Sequence, residues 1–169
     1  MDANTKARNI LQALHFDFTD FTLAGFLQAA GRSKGRHIEV FACDLPANVF
    51  GGWLTDEAAP MEYIFYQKGL PEIQQIHVQL HEVAHFLMGH PTRRINRQAL
   101  IEAASDAVEL LLSELAQLRS SRPSDLESEA ETLSSMIQKQ AIRYSKVGLL
   151  TRHSTSTGEL ADFLKEMGS

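Results

Sequence analysis

The stretch His81-Glu82-Val83-Ala84-His85 constrains this chain more than any other part of its sequence. In a helix, residues four apart share a face, so both imidazoles project to one side about one turn apart. Two neutral imidazoles at this spacing are typical ligands of one small divalent ion, and zinc suits them well. Glu82 is turned by about 100° from His81, so its carboxylate can act on a water molecule without binding the ion. The sequence therefore predicts a catalytic zinc site with His81 and His85 as ligands and Glu82 as general base.

The residues around this motif favour a helix that begins near Pro71 and ends near Gly89. Apolar residues recur at helical spacing through the motif, and proline is common in the first turn of a helix. Glycine followed closely by proline, here Pro91, is typical of a helix end. The alternative is a pair of surface histidines on an ordinary amphipathic helix, and the agreement of motif and context disfavours it.

Composition limits the classes of protein to which the chain can belong. Its 169 residues suffice for one domain, and 44% hydrophobic and 22% charged residues are ordinary for a soluble globular protein. The net charge of −5 argues against a nucleic-acid or anionic-membrane surface. Cys43 is the only cysteine, which excludes a disulfide framework and a thiolate metal cluster. Without an evident signal segment or membrane span, we expect a soluble cytoplasmic protein.

Hydrophobic periodicity predicts an α+β fold, with a small sheet packed on the motif helix and two long helices after it. We expect a single domain over residues 1–169. Its parts are N-terminal helices in 1–35, the sheet plus motif helix in 36–90, a helical part in 98–144, and a tail with a short helix in 145–169. The expected elements are helices at 5–14 and after Thr19 or Asp20, strands at 37–41 and 62–66, a loop or short strand at 50–54, and helices at 98–119 and 125–144.

A catalytic zinc keeps three protein ligands and one open position, so a third ligand is required. Glu102, followed four residues later by Asp106, resembles the glutamate-ligand segment of thermolysin-like peptidases, but it belongs to a polar stripe of its helix. Glu129 instead falls within the apolar stripe of the helix at 125–144. Because a buried carboxylate is costly unless it is paired or binds a metal, the pattern favours Glu129 and leaves Glu102 as the alternative.

Two segments resemble the ImmA/IrrE family of zinc metallopeptidases. Residues 81–90 are similar to that family's H-E-L-G-H-L-L-L-G-H segment. Residues 127–134 resemble its later E-x-E-A-[DN]-x-F-A segment, whose second Glu is the third zinc ligand and corresponds to Glu129. The resemblance covers residues 36–140 and implies a zincin-like fold.

The resemblance also implies a function: an intracellular zinc metalloendopeptidase that cleaves a helix-turn-helix transcriptional repressor. On this interpretation His81, His85 and Glu129 hold zinc, while Glu82 takes a proton from water and later delivers it to the leaving amine. The strand at 62–66, if it lies at a sheet edge, is expected to align the substrate by main-chain pairing. Neither a membrane nor nucleic acid is expected as a direct partner.

A second class of function stays open. The chain could be a non-proteolytic regulatory or toxin-like binding module with a structural or degenerate zinc site. The intact Glu82 favours the enzyme, because a structural zinc does not need a general base.

Overall fold

The computed structural model describes residues 1–103, 106–144 and 157–159. The chain begins with two helices, α1 (Ala3–Leu14) and α2 (Leu23–Ser33). The side chains of Asp2 and Thr22 start these helices, each by accepting a hydrogen bond from the backbone N–H three residues later. The cap of α2 therefore lies slightly after Thr19 and Asp20, the two caps that the sequence suggests.

Five strands form one mixed sheet: β1 (His37–Cys43), β2 (Gly51–Asp56), β3 (Met61–Gln67), β4 (Arg93–Ile95) and β5 (Thr157–Glu159). Their order across the sheet is β4-β2-β3-β1-β5. β3 runs parallel to β1 and antiparallel to β2, so both of its edges are paired. The short strands β4 and β5 lie parallel to β2 and β1 at the two ends of the sheet.

The strand β3 has the composition of a strand that is buried on both faces. Tyr63 and Phe65 pack into the core on one side of the sheet, and Ile64 and Tyr66 pack on the other side. The condition that residues 62–66 form a sheet edge is therefore not met, because β1 and β2 already occupy both edges. The main chain of β3 is not free to align a substrate peptide.

The motif lies on α3, which spans Glu72–Met88 and follows Pro71 as predicted. The helix ends at Gly89, which adopts the left-handed conformation with φ of 72° and donates its N–H back to the last turn. Every residue from 82 to 88 is buried, because this half of α3 packs between the sheet and the last long helix.

Three helices follow β4: α4 (Arg97–Ala103), α5 (Ala107–Ser121) and α6 (Ser124–Tyr144). The helix predicted at 98–119 is thus observed as two helices, whereas α6 agrees closely with the prediction at 125–144. Leu100 of α4 and Leu111 of α5 belong to the same hydrophobic cluster. Tertiary packing of this kind overrides a continuous helical pattern in the sequence.

Each face of the sheet carries its own hydrophobic core. One core joins the sheet to α1, α2, α3 and α6, and the other joins it to α4 and α5. The α+β part of the prediction is confirmed by this arrangement of helices on both sides of a small sheet. The tail helix predicted within 145–169 lies outside the described residues. Within the described ranges, no helix combines the length and apolar character needed to cross a membrane.

Candidate metal centre

Three side chains from two helices converge beside the middle of α3. His81 Nε2 lies 3.1 Å from His85 Nε2, as expected for two imidazoles one turn apart on the same helix face. Glu127 from α6 reaches both rings, with Oε2 at 3.2 Å from His81 Nε2 and Oε1 at 3.4 Å from His85 Nε2. Two imidazole nitrogens and a carboxylate within mutual reach are a donor set that can hold a divalent metal ion.

The phase of α6 explains why Glu127 occupies this position. The fully buried residues of α6 include Ala130, Ser134 and Ile137, which follow Glu127 by three, seven and ten residues. This spacing places Glu127 beside the buried stripe on the side that faces α3. Glu129 is turned by about 200° from Glu127, so it lies at the opposite edge of that stripe.

The two carboxylates that the sequence proposes as third ligand lie elsewhere. Glu129 Oε2 is 2.9 Å from His90 Nε2 and 2.5 Å from Lys6 Nζ. Glu102 is exposed on α4, where its Oε1 accepts a hydrogen bond from Gln98. The geometry therefore replaces both with Glu127 as the candidate third ligand. Glu127 and Glu129 are only two apart in sequence, but they point to opposite edges of the buried stripe.

The surroundings of Glu127 fit a bound cation. Its Oε1 is buried and lacks a hydrogen-bond partner among the described residues, which is costly for a carboxylate oxygen. The hydrogen bond with His81 and the neighbouring His85 ring hold the pKa of Glu127 far below its usual range, so the carboxylate is ionised. Desolvation lowers the pKa of His85 and favours the neutral imidazole that a metal requires.

The other ring nitrogen of each histidine also has a partner. His81 Nδ1 lies 3.4 Å from Glu131 Oε2, one turn after Glu127 on α6. His85 Nδ1 lies 2.8 Å from His90 Nδ1, just beyond the end of α3. Carboxylate and imidazole partners of this kind orient metal-ligating histidines and select the tautomer that leaves the inner nitrogen free.

Glu82 is buried next to the two histidines and pairs with an arginine. Arg122 Nη1, from the connection between α5 and α6, lies 3.1 Å from Glu82 Oε2 and 3.6 Å from Glu127 Oε1. The side chains of Arg122 and Glu82 are each only 6% exposed. The single positive charge of the guanidinium is therefore shared between the predicted general base and the candidate ligand.

A groove of about 350 Å³ opens onto this cluster. Its lining includes the polar side chains of His81, Glu82, Arg122 and Glu127. Apolar surface comes from Phe50, Leu70, Val78 and Leu118, and further polar groups come from Gln74, His77, Arg119 and Glu131. A groove with both kinds of lining can receive a polar backbone together with an apolar side chain.

Several residues of the site were not singled out from sequence. Arg122 and Glu131 carry no spacing pattern of their own, since each reaches the site only through the packing of α6 on α3. His90, just after the end of α3, is buried and contacts both His85 and Glu129. His77 lines the groove, and its Nδ1 lies 2.8 Å from the amide nitrogen of Gln138.

Comparisons of this chain with models of known protein families, with curated proteins and with solved structures found no match.

Proposed function

We propose that this chain is a zinc-dependent metalloendopeptidase with a zincin-like fold that hydrolyses a peptide bond in a protein partner. The observation that supports this proposal most is the meeting of His81, His85 and Glu127, beside a groove that Glu82 also lines. Three ligands and a neighbouring carboxylate are the minimum that hydrolytic zinc sites of this kind require.

The chemistry divides between the metal and the protein. When bound by His81, His85 and Glu127, zinc would supply a Lewis acid that lowers the pKa of water toward about 7 and polarises a carbonyl group. Glu82 takes a proton from the attacking water and later delivers it to the leaving nitrogen. Arg122 engages Oε2 of Glu82, so Oε1 is the oxygen that receives the proton.

The groove suggests how a substrate would bind. Its apolar part, with Phe50 exposed at the entrance, suits an apolar side chain next to the scissile bond. We propose a helix-turn-helix repressor as the protein partner, on the resemblance of residues 81–90 and 127–134 to the ImmA/IrrE family. Cleavage of such a partner would act inside the cell and change transcription.

One observation favours a second candidate, a regulatory or toxin-like binding module with a structural or degenerate metal site. The carboxylate that should act as base is held in a buried ion pair, with Glu82 Oε2 3.1 Å from Arg122 Nη1. X-ray absorption separates the two candidates, because a closed site has four protein ligands and a catalytic site has three plus water.

The central test uses the variant Glu82→Gln. We expect it to bind zinc as tightly as the wild type and to lose cleavage, because the amide cannot accept the proton from water. Purified zinc-loaded protein is incubated with the helix-turn-helix regulator encoded beside it, and the products are identified by mass spectrometry. A single cut by the wild type and none by the variant is the expected result.

Two outcomes would contradict the proposal. If the wild type leaves the regulator intact in a stable complex, the binding-module alternative replaces it. If Glu82→Gln still cleaves at the wild-type rate, Glu82 is not the general base.

A further inference from the structure

A chain of four side chains extends from His85 away from the groove. His85 Nδ1 lies 2.8 Å from His90 Nδ1, and His90 Nε2 lies 2.9 Å from Glu129 Oε2. Lys6 of α1 ends the chain, with its Nζ 2.5 Å from the same carboxylate oxygen. We propose that this chain, His85–His90–Glu129–Lys6, fixes the tautomer of His85 so that its Nε2 lone pair is presented to a metal ion.

The positions of the protons follow from the partners, beginning at the far end. The Lys6 ammonium can only donate, and an ionised Glu129 can only accept, so His90 Nε2 must carry a hydrogen. A neutral imidazole has one N–H, which makes His90 Nδ1 an acceptor. The hydrogen between the two rings therefore belongs to His85 Nδ1. His85 is then left with a bare Nε2, on the side where Glu127 and His81 lie.

The burial of the two imidazoles favours this order of donors and acceptors. The side chains of His85 and His90 are 0% and 3% exposed, so water does not compete for their ring nitrogens. If the shared hydrogen belonged to His90 Nδ1 instead, a neutral His90 would turn a bare Nε2 toward the Glu129 carboxylate, which places two acceptors together. A His90 with hydrogens on both ring nitrogens would be a second cation near Lys6. Both alternatives are costly in a buried site.

The same chain accounts for the position of Glu129 on α6. The sequence pattern identifies Glu129 as a carboxylate that needs a partner, and the structure provides His90 and Lys6 as that partner. Glu129 is a positioning residue in this proposal, since it acts on the metal position only through His90 and His85. Groups at this distance commonly change metal affinity about 10- to 100-fold.

This inference rests on the metal-binding part of the proposed function and not on proteolysis. Its primary test uses metal-free wild-type protein labelled with ¹⁵N, in which long-range ¹H–¹⁵N correlations report the protonated nitrogen of each histidine. We expect the Nδ1–H tautomer for His85 and the Nε2–H tautomer for His90. An Nε2–H tautomer of His85 would overturn the proposal without any variant being made.

A set of variants tests the role of the chain in metal binding. We expect Glu129→Leu to give a mixture of His85 tautomers and to weaken zinc binding about 10- to 100-fold. Glu129→Gln should restore both, because the amide oxygen still accepts from His90. The matched control is Glu114→Leu, which removes a similarly exposed carboxylate from the ion pair with Arg93 on the other side of the sheet. It should leave His85 and the zinc affinity unchanged.

The outcomes separate this inference from the proposed function. Unchanged tautomers and unchanged zinc affinity in Glu129→Leu would overturn the inference even if the enzyme cleaves its substrate. The expected tautomers together with an uncleaved regulator would support the inference and reject the peptidase.

Discussion

Arg122 is the charged residue on which the site depends most for its electrostatic balance. Its guanidinium lies within 4 Å of two carboxylates, Glu82 and Glu127, while its own side chain is almost completely buried. Its Nε and Nη2 have no hydrogen-bond partner within the described ranges. Removing one member of a buried ion pair leaves the other charge uncompensated, which costs more than the pair itself contributes.

We therefore expect Arg122→Met to lower the free energy of unfolding of the metal-free protein by about 3–5 kcal/mol. Urea denaturation measures the change, and the double variant with Glu82→Gln should recover part of it because the carboxylate is then gone. Arg119→Met is the control. Arg119 also contacts Glu127 but is 56% exposed, so its loss should cost less than about 1 kcal/mol. Equal losses in the two arginine variants would contradict this expectation.

Local geometry determines how far single residues can be assigned from the sequence. The positions of His81, Glu82 and His85 follow from helix geometry alone, so the sequence predicts their juxtaposition. The choice between Glu127 and Glu129 depends on the phase of α6, which includes the buried Ser134. A buried serine is indistinguishable from an exposed one in a hydrophobicity pattern, and this is why the sequence favours Glu129.

At the scale of elements, helices on both faces of the sheet lie close to the backbone of β2. A Cβ atom at Gly51 would overlap Val78 Cγ1 of α3 and lie 3.5 Å from Glu82 Cγ. A Cβ atom at Gly52 would lie 2.5 Å from Leu115 Cδ2 of α5 on the opposite face. The two glycines thus allow α3 and α5 to pack directly on the backbone of β2.

We expect Gly51→Ala to weaken zinc binding, because α3 must move away from β2 and carry His81 and His85 with it. Gly52→Ala is the matched control, since it displaces α5, which provides none of the candidate ligands, and leaves the packing of α3 on β2 in place. Both variants should lose about 1–3 kcal/mol of stability through overpacking. Zinc competition against a chromophoric chelator measures the affinities. A loss of affinity in Gly52→Ala as large as in Gly51→Ala would disagree with this account.

The sequence predicts most helices and strands within a few residues, because each has a clear hydrophobic period or cap. It does not predict the order of the strands, since pairing joins segments that are distant along the chain. The internal place of β3 and the separation of α4 from α5 both depend on such long-range packing. The strand predicted at 62–66 is confirmed as β3, whereas a sheet-edge position for it and a single helix at 98–119 are not found.

On the scale of the whole molecule, the candidate metal centre ties together distant parts of the chain. α3 provides two histidines, α6 provides Glu127, and α1 supports the site through Lys6, which is 123 residues from Glu129. A cation bound only in the folded state stabilises that state by mass action.

We expect zinc at 100 times its Kd to stabilise the protein by about 2.7 kcal/mol, a rise in Tm of roughly 5–10 °C. Differential scanning calorimetry with and without the metal measures this shift. Glu127→Ala should abolish it, Glu129→Ala should reduce it, and Glu102→Ala should retain it in full. If Glu129→Ala or Glu102→Ala abolishes the shift while Glu127→Ala retains it, the third ligand is not Glu127.

The short connection between α5 and α6 has a consequence for any attempt to shorten this protein. α4 and α5 contribute none of the candidate ligands and pack mainly on the face of the sheet opposite α3, so they look dispensable. Yet Arg122, which forms the ion pair with Glu82, directly follows the last residue of α5. A shortened protein that lacks α4 and α5 would keep all three candidate ligands but would lose the support of Arg122, the counter-ion of Glu82.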